Sequence, residues 1–128
     1  MGGSETFGVE SGFAEQAIEW MNSQAKKHKS KFEARAYNHK ITTKNFGTFE
    51  MFSWIGDVKV ARSLIIRASK RFKVRVIEGG YRTEEKILKT KKTDFAMVRK
   101  GDRIIGHLEF SSALIGDSIC KLETEERK

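Results

Sequence analysis

Between residues 57 and 76 the chain reads DVKVARSLIIRASKRFKVRV, with seven lysines or arginines and one acid, Asp57. Side chains of this type, gathered without counter-charges, bind phosphate: lysine as a point charge, arginine through paired N–H donors. The groups so marked are Lys59, Arg62, Arg67, Lys70, Arg71, Lys73 and Arg75. A second basic set follows at Lys89, Lys91, Lys92, Arg99, Lys100 and Arg103, and Lys26, Lys27, Lys29 and Lys31 could extend either one. Whether these segments form one surface depends on folding. The ordinary role of a charged helix face is solvation, but a face built for solubility alone interleaves both signs, and acids are missing from this one.

Aromatic residues offer a second chemistry. KNFGTFEMFSW, residues 44–54, sets Phe46, Phe49 and Phe52 beside a lysine, and bases stack on aromatic rings in single-strand binders. The run resembles the signature of the RNA-recognition motif, a basic residue, Gly, an aromatic and Gly followed by further aromatics, with Lys44, Phe46, Gly47, Phe49 and Phe52 as the matching types. Asn45 stands where that signature has glycine, and Thr48 is an extra residue that shifts Phe49 and Phe52 out of alternation. The resemblance implies a βαββαβ domain whose first strand is TFGVE, with residues 80–123 left over. The plainer role of these rings, with Trp54, is to fill the core.

Catalytic groups are sparse. His28, His39 and His107 lack metal-ligand spacing, and Cys120 has no ligand beside it. His39 and His107 fall on predicted strands, where a histidine and an acid could cleave RNA by acid–base catalysis. Glu84-x-Lys86 is similar to half of a metal-dependent nuclease site, without a partner aspartate. No catalytic set, cofactor or metal is assigned.

The elements that must carry these groups follow from periodicity. Val58, Ala61, Leu64, Ile65, Ala68 and Phe72 form one apolar stripe, and Asp57 after Gly56 is a cap, so the basic stretch is an amphipathic helix followed by the strand KVRVIE. Lys59, Ser63, Arg67 and Lys70 fall opposite the stripe, with Arg62 and Arg71 at its borders. A helix is predicted over 12–30, capped by Ser11, and a strand over 31–43. FEMFSWI, 49–55, fits a strand or a helix lead-in. TEEKILKTKK suits a strand, DFAMVRK and RIIGHLEF a hairpin about Lys100-Gly101-Asp102, and Ser118–Glu123 a last strand. The fold class expected is α+β, two helices on an antiparallel sheet of four to six strands. Residues 1–11 are predicted as a flexible leader, 12–124 as a single domain and 125–128 as a charged tail.

Of 128 residues, 25 are Lys or Arg and 17 are Asp or Glu. Residues 1–25 carry a net −4, residues 26–103 a net +14 and residues 104–128 a net −2. Such asymmetry points to a polyanionic partner, DNA or RNA first, an acidic protein second. One unpaired cysteine, no apolar run near the roughly 20 residues that span a bilayer, and an acidic start unlike a targeting peptide predict a soluble cytoplasmic protein. The expected function is non-enzymatic nucleic-acid binding. An accessory protein (viral, plasmid or regulatory) that binds an acidic protein is the alternative, and a small nuclease the second. FEMFSW and an unpaired sheet edge would also support a homodimer.

Overall fold

The computed structural model describes residues 3–79, 93–111 and 120–125. In chain order the elements are β1 (Gly3–Glu10), α1 (Ala14–Lys27), β2 (Phe32–Thr43), β3 (Gly47–Gly56), α2 (Val58–Phe72), β4 (Arg75–Gly79), β5 (Thr93–Lys100), β6 (Arg103–Ser111) and β7 (Cys120–Glu125). The strands make one sheet in the order β2-β3-β1-β4-β5-β6-β7, and every neighbouring pair is antiparallel. The α+β class is as the sequence predicts, with seven strands among the described residues in place of the four to six expected.

The order explains the helices. β1 and β2 are both antiparallel to β3 and therefore parallel to each other, so α1 is the crossover between them. β3 and β4 flank β1 in the same way, and α2 is their crossover. Residues 3–10, expected as part of a leader, are instead the strand between β3 and β4. Phe7 and Val9 are fully buried beneath the helices, and Gly8 between them lies against Met51 and Ile77 on the other face. The βαββαβ order implied by the RNA-recognition-motif resemblance is thus present over β1–β4.

Helix α2 forms as predicted. Asp57 accepts hydrogen bonds from the Lys59 and Val60 amides at 2.8 and 3.1 Å, and Ala61, Leu64, Ile65 and Ala68 are buried. It ends at Lys73, which adopts the left-handed conformation at φ 55°. Helix α1 is shorter than 12–30 and is not capped by Ser11. Phe13 holds the cap position without a side-chain bond, while the Ser11 amide donates to the Thr48 carbonyl. Asn22 fastens α1 to β2, donating to the Ala34 carbonyl at 3.0 Å and accepting from its amide at 2.8 Å.

The sheet has an apolar cluster on each face. Phe52 and Trp54 join Phe7, Val9, Val74 and Val76 under the helices. Phe49 and Met51 point the other way, into a cluster with Ile41, Phe46, Ile77, Ala96, Val98 and Leu108. The sheet curls around this second cluster, bringing β7 close to β2. Burial on both faces removes the alternation that marks a one-sided strand, which is why FEMFSWI, now β3, looked ambiguous. TEEKILKTKK lies outside the described residues.

Candidate nucleic-acid interface

Helices α1 and α2 run antiparallel. Trp20 meets Phe72 edge-on at 6.2 Å, while Gln24, one turn further along α1, accepts a hydrogen bond at 3.2 Å from Arg67, more than a turn back along α2. The C-terminal lysines of α1 therefore approach the start of α2, where the Asp57 amide donates to the Lys31 carbonyl at 2.8 Å. At the far end of α2 the β5–β6 turn docks on the helix. The Gly101 amide donates to Ser69 Oγ at 2.8 Å, and Lys70 Nζ lies 2.7 Å from Asp102. Lys31 thus adjoins the start of α2, and Lys100–Arg103 adjoins its far end.

Not every predicted contact is available to a ligand. Arg62 and Arg99 both bind Glu78, which is 1% exposed; Arg62 Nε lies 3.0 Å from it, and the nearly buried Arg99 guanidinium holds the other carboxylate oxygen. Arg99 also donates to the Asp102 carbonyl. Arg75 binds Glu10 through its amide at 3.0 Å and its guanidinium at 3.2 Å. Burial by itself would raise the Glu10 pKa, but these Arg75 bonds and the nearby Lys100 outweigh it, so the carboxyl is held below its ordinary range. Arg62, Arg75 and Arg99 are therefore occupied first in holding the fold, and Lys70 is bridged to an exposed acid. Glu10 and Glu78 were not singled out in the sequence because their partners are 65, 16 and 21 residues away.

The outward cations are Lys59, Arg67, Arg71, Lys73, Lys100 and Arg103, all exposed. Arg67 and Arg71 are held in place without a carboxylate among the described residues, with their guanidinium carbons 5.4 and 5.5 Å from the Trp20 ring centroid. Arg71 also lies 5.7 Å from the Phe72 ring. Lys89, Lys91, Lys92 and the Glu84/Lys86 pair fall outside the described residues.

The aromatic expectation is corrected. Phe46, Phe49 and Phe52 are 3%, 0% and 7% exposed, so none offers a ring face for stacking. Phe49 and Phe52, three residues apart on β3, point to opposite faces of the sheet, and the face away from the helices is filled by the second cluster. Among the described residues, the rings that the arginines of α2 cover are Trp20 and Phe72, while Phe13, at the start of α1, is 39% exposed. Trp20 could have been suspected from the helical wheel, since it falls at the edge of the apolar stripe of α1.

His39 pairs in register with Met51 on the face away from the helices. His107 pairs with Met97, which pairs with Glu78 on the helix face. The two histidines therefore lie on opposite faces of the sheet. Among the described residues no group of three or more His, Cys, Asp or Glu is placed to hold a metal ion, and no helix is long and apolar enough to cross a membrane. No family model, curated protein or solved structure matches the chain.

Proposed function

We propose that this chain is a cytoplasmic, non-enzymatic nucleic-acid-binding protein that tracks phosphates with the outer face of α2 and the segments joined to it. One observation carries the reading: two basic segments distant in sequence dock at the two ends of α2, and Arg67 and Arg71 on that helix have no carboxylate partner among the described residues. Helix α2 has 15 residues and is about 22 Å long, enough to follow several successive phosphates. The acids Glu15 and Glu19 lie on the Asn22 flank of α1, away from α2, and so border the surface without interrupting it.

Fluorescence anisotropy with labelled DNA and RNA at about 50 and 200 mM salt tests this. About five phosphate contacts predict an affinity loss on the order of a hundred-fold across that range. The Lys59→Glu/Arg67→Glu/Arg71→Glu variant is expected to abolish binding while retaining the native circular dichroism spectrum. Absence of binding to any nucleic acid at low salt overturns the proposal and directs the search to an acidic protein partner.

A further inference from the structure

The surface has two lanes of different chemistry. Arg71, Arg67 and Lys59 follow one another along the exposed side of α2, with Lys73 at its C-terminal end. Beside them, the flank of α1 that meets α2 through Trp20 and Gln24 continues through Gln16 to Phe13 at the N-cap, and all four are neutral and either aromatic or able to hydrogen-bond. Trp20 is partly exposed although it packs on Phe72, and Phe13 is 39% exposed. The two rings stand seven residues apart on one flank, about 10 Å along the axis. Phe13 also adjoins the basic end of the surface, because its amide donates to the carbonyl of Glu10, whose carboxylate holds Arg75. Glu15 and Glu19 close the far side of the neutral lane to anions.

Resting on the reading above, we propose that the ligand is single-stranded nucleic acid lying along the α1–α2 seam, with its phosphates over α2 and its bases over α1, packed on Trp20 and Phe13. A cationic lane beside a neutral aromatic one matches a strand whose backbone and unstacked bases point to opposite sides. A duplex keeps its bases inside the stack and presents no ring face to these side chains. Arg67 and Arg71 form the edge of the cationic lane that borders Trp20, where each guanidinium can reach a phosphate or cover a base.

The test is titration of the full chain with a labelled single strand and with a duplex of the same sequence, following anisotropy and tryptophan emission together. Trp54 is 1% exposed, so a binding-linked change in emission reports Trp20, and the Trp20→Phe variant assigns it. The single strand is expected to bind at least tenfold more tightly than the duplex and to quench Trp20. Trp20→Ala and Phe13→Ala are each expected to weaken single-strand binding about fivefold to a hundred-fold and duplex binding less than twofold. Phe13 is a surface residue, so its variant remains decisive should Trp20→Ala disturb the packing on Phe72. Equal binding of strand and duplex, indifferent to both alanine variants, overturns the seam while leaving the basic surface standing. No binding of either ligand overturns both.

Discussion

The buried hydroxyl of Ser69, on α2, accepts a hydrogen bond from the amide of Gly101, in the β5–β6 turn, at 2.8 Å, and donates one to the Val74 carbonyl. Thirty-two residues separate the two partners, yet this bond seats the basic turn against the end of the basic helix. Two polar backbone groups therefore depend on one side chain. Ser69→Ala is expected to destabilise the fold by about 1–3 kcal/mol, since it strips a buried acceptor and a donor of their partner. Urea unfolding followed by circular dichroism measures it, and an unchanged midpoint would refute the role.

The arginines of α2 divide by what holds them. Arg67→Ala or Arg71→Ala should each weaken nucleic-acid binding about fivefold and lower the salt slope by about 0.7–0.9. Arg62→Ala should leave affinity within about twofold, because Arg62 is committed to Glu78. Salt-dependent anisotropy on the three variants separates them. Equal losses at all three would mean that the Glu78 pair opens on binding.

Glu78 itself, 1% exposed between Arg62 and Arg99, is expected to be costly to remove. Glu78→Ala leaves Arg99 nearly buried without its counter-charge, a change that typically costs about 3–5 kcal/mol. Arg62→Ala should cost about 1 kcal/mol, since that guanidinium is already half in water and Arg99 still balances Glu78. Thermal unfolding of both variants provides the comparison, and similar losses would contradict it.

Acid should loosen the junction of β1 and β4. The Glu10 carboxyl is held below its ordinary value of 4.5 in the folded chain, so the folded state binds its proton less readily than the unfolded one. Its contribution to stability is fully present above that ordinary value and is lost as the pH falls through the lower folded value. The wild type should therefore lose more stability than Glu10→Gln between about pH 5 and pH 3. Parallel urea titrations check this; coincident pH profiles would show that Arg75 does not stabilise the charged form.

Gly56 cannot be replaced. A Cβ there would lie 2.1 Å from the Lys31 carbonyl oxygen, and its φ of 137° is one that other residues rarely adopt. Gly56→Ala is expected to cost about 3 kcal/mol or more and to disturb the entry into α2, where the neighbouring Asp57 amide donates to that same carbonyl. Comparison with Gly12→Ala, where the added carbon meets nothing within 4 Å, isolates the clash from the strain of a positive φ.

Local pattern was enough for α2, its Asp57 cap, its apolar stripe and the β5–β6 hairpin, because each is written in residues within a turn or two of one another. The uneven distribution of charge, and with it the expectation of a polyanionic partner, is likewise a property of the chain alone. Tertiary structure decided what local pattern could not register. It turned residues 3–10 from a leader into a strand paired on both edges, and buried Phe46, Phe49 and Phe52 by curling the sheet around a second core. It withdrew Arg62, Arg75 and Arg99 into ion pairs with Glu78 and Glu10, and set Trp20 between two arginines of another helix. The physical reason is common to all four. Burial and ion pairing depend on groups far apart in the chain, such as Arg62 with Glu78 at 16 residues and Glu10 with Arg75 at 65, whereas periodicity reports only which side of its own element a residue occupies.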